Sequence, residues 1–396
     1  MNEFAALWPL DPAIGFLNHG SFGSCPLAVL EKQAELRQRM ERQPVDFLVR
    51  DLEGLLDKAR AALAEFVGAD LDDLVLVPNA TAGVNSVLRS LEFGSGDELL
   101  VTDHEYNACR NVLDYVAGRA GAKVVTAEVP FPLHSEQQII DAVLGKVTER
   151  TRLLLIDHVS SQTALVFPLA KIVEQCSARG VDVLVDGAHA PGMLALDVNA
   201  IGAAYYAGNC HKWVCAPKGA GFLQVRRDRQ AQVRPWAISH GANSRREDRS
   251  RFQIEFGWTG TWDPTAMLSI PVALDYLGSL LPGGWTALME HNRSLALEAR
   301  ALLCRKLGID LPCPDGMIGA MASLPIATAA SIETPNSPLY LDPLQDAMRT
   351  EHRIEVPIIP WPAPPRRLLR ISAQLYNDID QYRLLAEAID SLADRG

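Results

Sequence analysis

The 396-residue chain predicts an α/β protein, with a large domain on a mainly parallel sheet and a smaller α+β domain toward the C-terminus. Three observations predict it. From residue 74 to residue 222, short apolar runs of strand length alternate with amphipathic segments of helix length, the pattern that builds parallel sheets. Two of these runs end on an acid, an imidazole and a lysine, and open α/β sheets place their ligands at the carboxyl ends of strands. The chain is also too long for one ordinary core, which suggests two lobes of unequal size. The boundary is placed near Pro264: residues 21–263 form the large domain and 264–396 the small one, with residues 1–20 contributing to the site and to the small domain.

In chain order, Phe16-Leu17-Asn18-His19-Gly20-Ser21-Phe22-Gly23 is a polar, glycine-rich loop, and residues 27–42 form a charged amphipathic helix. The serine directly follows the first glycine, so the loop is not a G-x-S-x-G nucleophile elbow. Residues 74–78 read as a strand, and Asn79-Ala80-Thr81 opens a helix to about residue 91. Asn79 or Thr81 suits its cap, and the same geometry aims free N–H groups at an anion. A strand at 98–101 leads through Thr102-Asp103-His104-Glu105-Tyr106-Asn107 into a helix ending near residue 120. Strand, helix and strand follow at 123–127, 136–146 and 153–157, then a helix at 169–179.

The β-branched run 181–185 delivers Asp186, with Gly187 and Ala188 leaving room for something flat and His189 three residues on. A second run, 203–207, is followed by Gly-Asn-Cys-His-Lys-Trp, which puts Lys212 just past a strand end. Residues 239–251 read as an exposed, mobile loop, 267–280 and 285–307 as helices, and 357–365 as a stiff loop that its prolines keep out of helix.

A hydrophobic content of 48% with 21% charged residues describes a soluble globular chain, and the net charge of −11 argues against nucleic acid as a partner. No apolar run approaches the ~20 residues that span a bilayer, so no membrane is expected. The N-terminus lacks the basic start of a signal peptide. Seven scattered cysteines without C-x-x-C spacing fit reduced thiols in a cytoplasm and no structural zinc. No dinucleotide fingerprint, Walker A segment or H-E-x-x-H is present, and no metal is expected.

Asp-Gly-Ala-His at 186–189 and His-Lys at 211–212 resemble the signature of the class V aminotransferase family, fold-type I enzymes that use pyridoxal phosphate. The 16–23 loop, residues 44–50 and Arg-Ile-Ser-Ala-Gln-Leu-Tyr-Asn at 370–377 resemble its isopenicillin N epimerase-like branch. The resemblance implies that Lys212 carries the cofactor as a Schiff base, Asp186 pairs with its ring nitrogen, His189 contacts its hydroxyl and His211 its phosphate. Asn79, Ala80 and Thr81 then suit the phosphate, and His104 or Tyr106 stacks on the ring, with the tyrosine also an acid or base. Ser161 or Gln162 stands where relatives have an asparagine at the ring oxygen.

Arg370 is implied to hold the substrate carboxylate in a bidentate fork. His19 and the Gly20 amide are implied to lie against the substrate, Arg50 to reach a neighbouring site, and Thr261 to bind a partner's phosphate across a homodimer with composite active sites. Cysteine desulfurases of the class carry a cysteine shortly before this arginine, and residues 357–367 contain none.

The implied function is chemistry at Cα or Cβ of an amino acid: Cβ–S cleavage or epimerisation of a bulky amino acid of secondary metabolism. Aminotransfer or decarboxylating oxidative deamination is the alternative. Lys212 supplies one base, and Tyr106 or His19 a second group. A catalytically silent binding protein on the same fold is the non-enzyme alternative, and it would be expected to lose Lys212 or Asp186.

Overall fold

A computed structural model describes residues 2–329 and 341–393. Its strands are, in chain order, β1 Gly15–Phe16, β2 Leu74–Val77, β3 Glu98–Thr102, β4 Lys123–Ala127, β5 Thr151–Asp157, β6 Asp182–Gly187, β7 Tyr205–Asn209, β8 Gly221–Val225, β9 Met321–Ile326, β10 Ile354–Glu355, β11 Ile358–Pro360 and β12 Arg367–Ser372.

β2 to β8 make one seven-stranded sheet in the order β2-β8-β7-β6-β5-β3-β4. β5, β6 and β7 are parallel neighbours in its middle, and β8 runs antiparallel to both β7 and β2. The central strands are apolar at successive positions because helices cover both faces. Leu154, Ile156, Val183 and Val185 enter one core, while Leu153, Leu155 and Leu184 enter the core on the other face. Each such side chain contributes about 1.5–3 kcal/mol by leaving water, so the sheet that carries the site is anchored in both cores.

β11, β12 and β9 form a second, antiparallel sheet with β12 in the middle. One expectation changes here. The proline-rich segment is not all loop: it contains β11, an edge strand, where the missing N–H of Pro360 costs the ladder little. Arg370 lies inside β12, opposite Ser323 of β9. The two-residue strand β1 pairs in parallel with β10 and fastens the N-terminal loop to the chain's far end.

The loop at 239–251 is pinned rather than loose. Arg246 donates to Glu53 at 2.7 Å, and Arg249 donates to both oxygens of Asp57 at 2.7 and 2.6 Å. Among the described residues no single helix is long and apolar enough to cross a membrane; Thr265–Ser279 and Gly284–Leu307 combine that length and apolarity only as a pair bent by 72°.

Candidate active site

Parallel register sets the rim. Asp157 of β5 lies opposite Asp186 of β6, and Asp186 lies opposite Ala207 of β7, so the β5, β6 and β7 ends are level. The chain past β6 turns back to bring His189 to Lys212, whose Nζ shares a 2.9 Å hydrogen bond with His189 Nε2. Burial, which disfavours the ammonium, lowers the Lys212 pKa to about 7, with Asp186 opposing and Arg370 adding to the shift. Burial first, then Lys212, holds His189 well below the ordinary imidazole range. Its Nδ1 is buried without a partner among the described residues, an open valence facing the site.

Asp186 is held on both oxygens. Cys109 donates its S–H to Oδ2 at 3.0 Å, and the Ala188 amide donates to Oδ1 at 2.9 Å. Glu105 lies beside this pair: donor atoms of Glu105, Cys109 and Asp186 fall within 4.8 Å of one another. Two carboxylates at such a distance repel by about 3 kcal/mol at an effective dielectric near 20. Burial, then Asp157 and Asp186, pushes Glu105 far up; burial, then Asp186, does the same to Asp157. Burial also raises the Cys109 thiol well above its ordinary range, so the cluster suits protons better than a cation, whose ligands must be deprotonated.

The helix Ala80–Ser90 starts beside the end of β7. Asn79 caps it, its Oδ1 accepting from the Ala82 amide at 2.9 Å, and Asn209 at the end of β7 accepts from the Ala80 amide at 2.8 Å. Asn79 packs on the β7–β8 hairpin, since a Cβ on Gly221 would lie 3.0 Å from its Cα. That hairpin carries His211, which donates from Nδ1 to the Ala220 carbonyl at 3.2 Å and whose pKa falls to about 4, chiefly by burial.

Arg370 is a buried cation. Its guanidinium donates to the Ser161 carbonyl and Oγ, to Ser21 Oγ at 2.7 Å and to Asn18 Oδ1 at 3.4 Å. Its Nε has no partner, and no acid pairs with it among the described residues. Burial lowers even this guanidinium, to about 10. Ser161 therefore orients Arg370, and Gln162 leaves its Oε1 buried and unpartnered.

His104, Tyr106, His19, Gly20, Arg50 and Thr261 differ in contacts and exposure. His104 turns under the rim, donating from Nε2 to the Val129 carbonyl and meeting Thr163 Oγ1 at 2.8 Å, with Trp361 against its edge. Tyr106, next but one, is the half-exposed ring that feels Asp186 and Arg370. His19 is fully buried and both nitrogens are engaged: Nε2–H donates to the Lys212 carbonyl at 3.0 Å, which leaves Nδ1 to accept from Tyr376 at 2.9 Å. The Gly20 amide is used as well, donating to Ser372 Oγ at 3.1 Å. The loop earns its glycines instead by close approach: Gly23 has φ +68°, and a Cβ there would sit 2.5 Å from the His211 carbonyl oxygen. Arg50 is exposed and paired with Asp46, and Thr261 is exposed.

Ser21, Asn18, Asn209, Cys109 and Glu105 were not singled out from the sequence. Only the first two had a signal, lying inside the glycine-rich loop.

The family model for class-V aminotransferases matches residues 25–381. The chain belongs to the class-V aminotransferase family. This class-V chain is 36% identical to isopenicillin N epimerase of Amycolatopsis lactamdurans over 97% of its own length and 96% of that protein's. It is 31% identical to a probable chloroplastic L-cysteine desulfhydrase of Arabidopsis thaliana, covering 98% of this chain and 84% of the other. In fold it resembles a mutant of C-DES with glycine covalently linked to its PLP cofactor: TM-score 0.78 at 22% identity, covering 97% of this chain and 98% of that one. The class-V fold is thus shared well beyond the range of close sequence likeness.

Proposed function

We propose that this chain is a pyridoxal-phosphate-dependent enzyme that cleaves a Cβ–S bond in, or inverts Cα of, a bulky α-amino acid. The observation that carries this reading is the meeting, at one rim, of a buried lysine near pKa 7 and a buried arginine with no acid partner among the described residues. The residues fit the family's cofactor. Lys212 anchors it, Asp186 suits its ring nitrogen, the open Nδ1 of His189 its hydroxyl, and the Asn79-Ala80-Thr81 helix start with His211 its phosphate. Bound there, the cofactor supplies an electron sink conjugated to the substrate's Cα.

The chain's own groups do the rest. Arg370 fixes the carboxylate and so decides which Cα bond is turned for cleavage. Lys212 takes and returns the Cα proton. Tyr106, whose pKa is raised by burial, then Cys109 and Asp186, keeps its proton at neutral pH. It therefore suits the acid that either outcome needs, delivering a proton to a leaving sulfur or to the opposite face of Cα. His19, with both nitrogens engaged, is not available for that role. All seven cysteines are buried, and Cys25 is pushed up to about 12, which disfavours a persulfide carried on the chain.

A homodimer with composite sites accompanies this reading. Val45 and Val49, which flank Arg50, are 62% and 74% exposed. Beside them lies a cavity of about 240 Å³ lined by Val49, Leu56, Trp258, Trp262 and Met267. Light scattering that finds an active monomer would contradict the dimer.

The pure protein is expected to be yellow, and borohydride is expected to fix the cofactor on a peptide containing Lys212. Incubation with cysteine conjugates and dipeptides in deuterated water separates the outcomes. Pyruvate marks the lyase, α-deuterium without cleavage the epimerase, and an intact-chain keto acid aminotransfer. A colourless protein that takes up no pyridoxal phosphate overturns the reading.

A further inference from the structure

We propose that Glu105 is a neutral acid in the floor of the site, a positioning residue that keeps the cluster beneath the cofactor at one negative charge, borne by Asp186. The inference rests on the cofactor reading above and goes beyond it, to a residue that touches neither substrate nor cofactor.

Donors decide where the charge sits. Asp186 receives the Cys109 thiol and the Ala188 amide, one on each oxygen. Glu105 is 5% exposed, and neither of its oxygens has a hydrogen-bond partner among the described residues. The Tyr106 amide comes near without the alignment of a hydrogen bond. Arg110, a cation that acts on Glu105, is engaged elsewhere, donating to both oxygens of Asp114 and to Thr126. Asp157, level with Asp186 on the next strand, also leaves Oδ2 buried and unpartnered.

A charged Glu105 would thus be a buried carboxylate without donor or counter-ion, facing two further acids. Protons on Glu105 and on Asp157 remove that conflict. They leave a cluster of charge −1, borne by Asp186, to match a single protonated ring nitrogen of the cofactor. Cys109 lies within 4.8 Å of both acids, its thiol proton committed to Asp186.

The test reads the proton itself. In the cofactor-free protein, infrared spectra from pH 7 to pH 9 are expected to contain a protonated-carboxyl C=O band that moves on ¹³C-glutamate labelling and is lost in Glu105→Gln. Asp157→Asn is expected to remove a separate band that the label does not move. Titration with pyridoxal phosphate is expected to give Glu105→Gln a Kd within about threefold of wild type, because glutamine copies the shape and charge of the neutral acid. A labelled protein without the band, or a Glu105→Gln Kd raised more than about tenfold, overturns the proposal. If neither protein binds pyridoxal phosphate, the cofactor reading fails, and the labelled band alone decides the charge on Glu105.

Discussion

His19 and His189 are both buried imidazoles in contact with Lys212, one at its carbonyl and the other at its amine. His19 belongs to the wall made by the N-terminal loop and the second sheet, and its two nitrogens are spent on Lys212 and Tyr376. His189 belongs to the rim of the large sheet and keeps Nδ1 free. The buried arginines divide the same way. Both leave Nε without a partner among the described residues, but Arg300 is paired with Asp315 and the Cys313 carbonyl, whereas Arg370 is oriented by neutral groups and has no acid partner among the described residues. Among these buried side chains, those whose charge or ring nitrogens are matched hold geometry, and those with an unmet charge or ring nitrogen are available for chemistry.

The strongest way to break this contrast is at the amine. Lys212→Ala is expected to cut turnover at least about a thousandfold and to abolish borohydride labelling, with little loss of thermal stability, since a buried cationic group is removed. A folded variant that retained turnover would place the reactive amine elsewhere. Next is Arg370→Lys, which keeps the charge and loses the fork. We expect kcat/KM to fall by more than about a hundredfold while the bound-cofactor absorbance is unchanged. Near wild-type turnover would show that the carboxylate is held by another group.

The third is a pH profile. Lys212 is protonated below about 7 and free above it, so capture of pyridoxal phosphate by the cofactor-free protein should slow about tenfold per pH unit below 7 and level off above it. A profile that keeps rising to pH 10 would mean an ordinary lysine. The smallest effect on catalysis is expected at the satisfied wall. His19→Ala orphans the Tyr376 hydroxyl and the Lys212 carbonyl, costing about 2–4 kcal/mol in urea unfolding, while kcat/KM of the folded enzyme falls less than about tenfold. Lost turnover at unchanged stability would return His19 to the substrate.

What could be read from the sequence follows the same division. Asp186, His189 and Lys212 were legible because strand ends announce themselves through contiguous apolar runs, and the runs carry the residues with them. β8 was harder, since an antiparallel return needs no helix before it and Gly221–Val225 follows Lys212 by only a short turn. The choice between His104 and Tyr106 was not legible at all, because a strand-to-helix turn has no period that tells which side chain faces the rim. The parts of His19 and Gly20 were hidden for another reason: their partners, Tyr376 and Ser372, lie 357 and 352 positions away. Glu105 passed as one more charged residue, since a retained proton leaves no mark on the sequence.

Those separations bear on how the molecule is made. Synthesis delivers Asn18, His19, Gly20 and Ser21 first and β12, with Arg370, almost last. Contacts so distant along the chain repay their loop-closure cost only after the intervening sheet has drawn the ends together. The seating of Arg370 against Asn18, Ser21 and Ser161 is therefore a late event in folding, assembled on a rim that already exists. A nascent chain released short of β12 would keep Asp186 and Lys212 while lacking Arg370, the residue proposed to hold the substrate carboxylate.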